Sequence, residues 1–437
     1  MNRNINRADL VKLPLNRSIR EIAESYSSET AFSRNSKLTA NALMRFIIGA
    51  EGGSLEKELR RAGIDVTRAA ISQRRAQLPS EAFHKVFDKF NEKYDAFNKE
   101  RVESETYQSM KLLAVDGTSV NIARNPDAPS YVLKKDYNQL HLNPLYDLCA
   151  RTYFDAVIQP EPQKDEIGAL LEMLKRREFT RRTLIIADRG YEGYNVLATL
   201  LNKENVDFLI RVKNSRSAMR EVARLPMQQI DCDISFTITT TQTNEDKRNH
   251  YIYVRPERKS KSDGKLHKSR WDFPSPYPMS LRICRFMLNT GKFETIATSL
   301  DRSFTLEDIK ALYAKRWGIE RSFLELKHYL GLINLHGRKN DDFSMQEIYA
   351  QLVMYNFVSR ISREAKIRPS QKSKFTYKVN FTRAAEICRE YFRGEIIEGD
   401  EVLEEIGKYT VAVRPGRADP RELRPKGFVG FTYRVSA

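Results

Sequence analysis

"TLIIADRGYEG", Thr183–Gly193, is a short apolar run that ends in Asp188-Arg189-Gly190. A second run of the same form, "MKLLAVDGTSVNI" over Met110–Ile122, ends in Asp116-Gly117-Thr118. Apolar runs of this length read as buried strands. A lone carboxylate inside such a strand needs compensation. At the strand's C-terminal edge it can instead reach a shared crevice. Taken singly, each aspartate also suits an ordinary turn. Taken as a pair, with a third carboxylate on a following helix, they suit a hard divalent cation.

The segments around these runs set the fold class. "QLHLNPLYDLCA" and "TYFDAVIQP" have strand length, "DEIGALLEMLKRRE" and "YNVLATLLNKEN" read as helices, and "DFLIRVKN" reads as a strand. Three strands, helix, strand, helix, strand describes an α/β mixed sheet covered by helices. Residues 214–305 turn mostly β, with Ile234, Phe236 and Ile238 alternating in "DISFTITT". A strongly basic stretch, "RPERKSKSDGKLHKSRWDF", interrupts this part, and Trp271 near its end is a candidate to stack on a displaced base.

The third carboxylate is expected in "LYAKRWGIERSFLELKHYLGL", Leu312–Leu332, which reads as one helix. At about 100° per residue, Tyr313, Arg316, Glu320 and Lys327 fall within an arc of roughly 60°. An apolar stripe of Leu312, Ile319, Phe323, Leu326 and Leu330 lies beside them. Glu325 lies about 140° around from Glu320, so helix geometry favours Glu320.

Composition narrows the partners. The 437 residues carry a formal net charge of +17 and are 41% hydrophobic. That surplus of positive charge points to a polyanion such as nucleic acid. The apolar runs are far short of the ~20 residues that span a bilayer, so no membrane association is expected. No secretory signal is visible at the N-terminus. The four cysteines are scattered, without metal-ligand spacing or a disulfide framework, which fits a reduced compartment.

Residues 1–105 read as helical and basic. Within them "SLEKELRRAGIDVTRAAISQRRAQL" gives a helix ending near Gly63, then Thr67 as N-cap of a second helix. That second helix offers Arg68, Arg74 and Arg75 for phosphates and base edges, in the manner of a helix-turn-helix.

Asp116 in Asp-Gly-Thr, Asp188 in Asp-Arg-Gly-Tyr, and the Tyr-x2-Arg-x3-Glu-x6-Lys series at 313, 316, 320 and 327 together resemble the DDE transposases of bacterial insertion sequences. The resemblance is to the insertion-sequence-four group with its YREK signature, and it covers roughly residues 106–360. It implies a ribonuclease-H-like mixed sheet core over 106–213 and 306–337 and a β-rich insertion over 214–305. Around these would lie a helical DNA-binding domain over 1–105 and a C-terminal helical and basic region over 338–437. It implies Asp116, Asp188 and Glu320 as catalytic ligands of Mg²⁺ or Mn²⁺, two ions together. Tyr313, Arg316 and Lys327 would hold DNA phosphates. The implied activity is strand cleavage and joining at element ends on double-stranded DNA, by a homodimer in the bacterial cytoplasm, nucleoid-associated when bound. A nuclease on the same fold and a catalytically idle repressor of transposition are the alternatives.

Overall fold

A computed structural model of the chain describes residues 6–27, 32, 37–214, 219–255, 257–259, 266–268, 270–333, 335, 337, 340–367, 375–396 and 398–413. Half of the basic stretch before Trp271, His336, and the Pro-, Gly- and Arg-rich segment from 414 onward lie outside these residues. The strands are β1 (Lys111–Val115), β2 (Thr118–Ile122), β3 (Tyr131–Val132), β4 (Tyr137–Asp147), β5 (Thr152–Pro160), β6 (Thr183–Ala187), β7 (Val206–Val212), β8 (Ile230–Thr239), β9 (Ile252–Tyr253), β10 (Glu257–Lys259), β11 (Leu266–Lys268), β12 (Tyr277–Met287), β13 (Phe293–Thr298), β14 (Thr376–Val379) and β15 (Thr410–Val413). The helices are α1 (Asp9–Ser27), α2 (Ala40–Gly49), α3 (Leu55–Arg61), α4 (Arg68–Arg75), α5 (Ser80–Phe97), α6 (Lys99–Ser104), α7 (Glu166–Arg176), α8 (Tyr194–Leu201), α9 (Arg220–Ala223), α10 (Asn244–Arg248), α11 (Leu306–Ala314), α12 (Trp317–Leu324), α13 (Asp341–Glu364), α14 (Phe381–Arg393) and α15 (Gly399–Lys408).

The chain divides into two compact units, one of Met1–Glu105, Gly117–Lys164 and Glu320–Ala437, the other of Thr106–Asp116 and Asp165–Ile319. In the second unit β1, β6 and β7 run parallel, with β6 between the other two. All five residues of β6 are buried, as a doubly covered parallel strand requires. Helix α7 starts where the Asp165 carboxylate accepts from the Gly168 N–H at 2.8 Å, an N-cap. The 214–305 segment is mostly β, as expected; its short strands β10 and β11 pair with each other, while its longer strands join the sheet of β1, β6 and β7. Its strand β13 pairs antiparallel with β7, β12 with β13, and β8 with β12, so it prolongs the same mixed sheet. Arg282 of β12 is buried there, with its guanidinium bonded twice to Asp231 at 2.8 Å and to the Phe304 carbonyl at 2.8 Å.

In the first unit, β2, β4 and β5 form an antiparallel set, with β3 also on β4. Helices surround α13, which is buried almost all round from Ser344 to Ile361. It is the central helix of a bundle, with α5, α14, α2 and β5 packed on it, and its buried polar residues, such as Gln346, Glu347 and Asn356, are hydrogen-bonded there. No helix among the described residues is long and apolar enough to cross a membrane.

The expected single helix over Leu312–Leu332 is three pieces. Helix α11 stops at Ala314, where Lys315 and Arg316 bond back only three residues, to Leu312 and Tyr313 at 3.1 and 3.0 Å. Helix α12 then widens into a π turn over Glu325–Tyr329, closed by Leu330 N–H to the Glu325 carbonyl at 3.1 Å. Each tightening or widening changes the rotation per residue, so this segment departs from the ideal helix on which the roughly 60° arc was drawn.

Candidate active site

The β1–β6 register pairs Leu113 with Ile185, Ala114 with Ile186, and Val115 with Ala187. The next residue on each strand is Asp116 and Asp188. Parallel pairing therefore sets both carboxylates side by side at the C-terminal edge of one sheet, about 5 Å apart in backbone. Asp188 folds back to accept from the Gly190 N–H at 2.7 Å. A Cβ at Gly190 would lie 2.9 Å from Asp188 Oδ1, which explains glycine in the Asp-Arg-Gly-Tyr motif.

Buried aromatic hydroxyls and one arginine line this edge. Tyr191 is 1% exposed, and its hydroxyl makes no hydrogen bond among the described residues. Burial pushes that phenol well above its usual range, and the carboxylates of Glu166, Asp116 and Asp188 push it further. Glu166, the first residue of α7, is a third acidic group that the sequence reading passed over. Only its position as the residue after an N-cap signals it. Tyr313 is likewise buried, with its phenol raised to about 12 chiefly by desolvation, and with Arg316 acting against the rise. Arg316 is 6% exposed and stands 3.6 Å from Asp116 and over the Trp317 ring at 4.8 Å. The donors Asp116 and Asp188 offer hard oxygen, which fits Mg²⁺ or Mn²⁺.

Glu320 and Lys327 belong to the other unit. Glu320 is half-buried on α12. The Lys327 ammonium donates to Thr118 Oγ1 at 2.6 Å and to the Ser119 carbonyl at 2.9 Å. Thr118 is the threonine of the Asp-Gly-Thr motif, so two motifs far apart in sequence are tied by a side chain. Burial lowers the Lys327 pKa. Beside this bond, Ser119 Oγ lies 3.2 Å from His141 Nδ1 and donates to Glu161 at 3.1 Å. Glu325 is 3% exposed, accepting from Arg151 at 3.0 Å and from the Tyr355 hydroxyl at 2.7 Å. Its carboxylate is committed to that buried cluster.

The helix-turn-helix segment forms as α3 and α4. Gly63 takes the left-handed conformation at φ +64, and Thr67 Oγ1 caps α4 from the Ala70 N–H at 3.2 Å. Arg68 is exposed and ion-paired with Glu56. Arg74 lies over the Phe32 ring at 5.2 Å and bonds Gln77 at 3.1 Å. Arg75 departs from the expectation of a DNA-facing side chain: it is 6% exposed and bonded to Glu347 at 2.8 Å and Gln346 at 3.1 Å. Trp271 packs edge-on against Phe273 and Tyr277, both at 5.5 Å, and its indole N–H reaches the Pro274 carbonyl at 3.3 Å.

A search of curated proteins gives no match. Among solved structures, the piggyBac transposase synaptic complex with hairpin DNA is similar at 12% identity and a TM-score of 0.39, over 97% of this chain and 89% of that one. The family model described as "Transposase DDE domain" matches residues 107–357. That match spans more than half of the sequence, includes both strand-end aspartates and the whole Tyr-Arg-Glu-Lys series, and places the chain in the DDE transposase-domain family.

Proposed function

We propose that this protein is a DNA transposase of the insertion-sequence-four type, with Asp116, Asp188 and Glu320 as its three metal-holding carboxylates. The observation that carries the reading is the parallel β1–β6 register, which sets Asp116 and Asp188 side by side. Asp116, Asp188 and Glu320 would hold one or two divalent ions, whose chemistry would be to activate an attacking oxygen and stabilise a leaving one. The chain's own residues do the rest. Arg316 supplies a planar donor and Lys327 a point charge for phosphate oxygens next to the cut bond. Tyr313 lines the same strand of contacts. Arg68 and Arg74 of α4 would meet the phosphates of the element's end. The organisation that follows is an end-binding region over 1–105, a catalytic core over 106–213 and 306–337, a β-rich insertion over 214–305 and a C-terminal region over 338–437. Two copies would hold two DNA ends, in a bacterial cytoplasm.

The test is single-turnover cleavage and joining on a labelled duplex. Its sequence comes from inverted repeats in the DNA flanking the gene. Cleavage with Mg²⁺ and its loss in excess EDTA are expected. Nicking without joining would turn the reading toward a nuclease. Full cleavage in EDTA would overturn it.

A further inference from the structure

We propose a second cation site, made by His84, Asp88 and Asp155, that binds a divalent transition metal such as zinc or cobalt. The three residues share no ligand with the proposed catalytic set, and all lie in one compact unit. His84 and Asp88 are one turn apart on α5, so both side chains leave the same face. Asp155 comes from β5 and is fully buried. One ligand atom from each residue lies within 4.8 Å of the other two.

The geometry around the imidazole carries the inference. His84 Nε2 is 3.6 Å from Asp88 Oδ2 and 3.9 Å from Asp155 Oδ1. Those gaps are too long for hydrogen bonds, and Nε2 is a buried atom with no hydrogen-bond partner among the described residues. A buried nitrogen left so is costly. A metal at about 2.0–2.2 Å from each ligand separates neighbouring tetrahedral ligands by about 3.3–3.6 Å. The observed gaps close to that with small side-chain rotations. The ring is held flat against Tyr349 at 4.7 Å and 18°, which aims Nε2 between the two carboxylates. One imidazole with two carboxylates suits first-row divalent ions better than Mg²⁺, which prefers oxygen alone. A cation there would clamp α5 to β5.

The competing arrangement is an imidazolium between two carboxylates with no metal. The experiment uses the untagged full chain carrying Asp116→Asn, Asp188→Asn and Glu320→Gln, which removes the proposed catalytic ligands. Co²⁺ is titrated and followed by visible absorption, and Zn²⁺ by calorimetry. One Co²⁺ per chain with a visible band is expected. The band and the Zn²⁺ heat should both vanish on adding His84→Gln. Zn²⁺ should also raise the melting temperature of the parent and not of the His84→Gln variant. Asp155→Asn is the second variant. Should it fail to fold, His84→Gln, on a partly exposed helix face, carries the test. No bound Co²⁺, or binding that His84→Gln leaves intact, would overturn the proposal.

Discussion

Replacing Arg75 with alanine should unfold the protein early and leave its contact with DNA phosphates unchanged. The Arg75 guanidinium donates to Glu347 at 2.8 Å, Gln346 at 3.1 Å and the Phe343 carbonyl at 2.8 Å, and it lies over the Phe343 ring at 4.6 Å. The Arg75 and Glu347 side chains are only 7% and 8% exposed. Truncation leaves the Glu347 carboxylate buried beside a void. Removing one partner of a buried pair costs roughly 3–5 kcal/mol. In a unit of this size each kcal/mol moves the melting temperature by roughly 2–4 °C, so a drop of about 6–20 °C is expected. Arg68 and Arg74 offer the contrast: Arg68 is exposed and Arg74 half-buried, and replacing either should alter stability by less than about 1 kcal/mol. The assay pairs a circular-dichroism melt with end binding by fluorescence anisotropy across a salt series, below the lowest melting point. Each lost phosphate contact should flatten the slope of log affinity against log salt by about 0.9. Arg68→Ala and Arg74→Ala should flatten it, and Arg75→Ala should not. A normal melt together with a flattened slope for Arg75→Ala would refute the reasoning and return Arg75 to the DNA face.

Asp116→Asn and Asp188→Asn each keep side-chain size, so a melt should change little while Mg²⁺-dependent cleavage falls by several orders of magnitude; near-parental cleavage in either would remove the pair from the metal site. Glu325→Gln should lower stability by roughly 1–3 kcal/mol, because a charge-assisted bond from Arg151 is weakened in a buried cluster; an unchanged melt would contradict that cluster. Lys327 gives a pH test: burial lowers its pKa, so its charge is lost at lower pH than that of an ordinary lysine. Strand joining should therefore decline on the alkaline side below the ordinary lysine range, and Lys327→Arg should move the decline upward; a profile identical in both proteins would detach Lys327 from the reaction. The stability sign is opposite, since the cost of burying the charged amine is present below the lowered pKa and is relieved as pH rises toward the unfolded value.

What could be read from the sequence was local. A run such as "TLIIA" announces a buried strand because every residue in it is apolar or β-branched, and Thr67 announces a cap because its hydroxyl suits an unpaired N–H. The β1–β6 pairing joins segments separated by four other strands and a helix, and no periodicity within either run specifies that register. The break after Ala314 and the π turn at Glu325 arise without proline, so propensity gave no sign of them. Arg75 looked like Arg68 and Arg74 because its partners stand on α13, far along the chain. The pair His84 and Asp88 had helical spacing in plain view, but the third group came from β5.

The electrostatics of the strand-end pair connect these findings to the proposed chemistry. Two carboxylates side by side at one sheet edge repel each other. Arg316, 3.6 Å from Asp116, offsets part of this with a single charge. Glu166 adds a further negative charge near Tyr191. The edge therefore gathers at least three acids, Asp116, Asp188 and Glu166, around Tyr191, with Arg316 beside Asp116, a set of hard oxygen donors that one or two divalent cations would suit. The same arginine cannot both neutralise Asp116 and hold a phosphate at full strength. A cation bound by Asp116 would free the Arg316 guanidinium to turn toward DNA, so metal loading and phosphate capture should strengthen each other. Arg316→Lys in a Mg²⁺ titration examines that link: a weaker dependence of DNA affinity on Mg²⁺ than in the parent is the expected result, and an equal dependence would separate the two events.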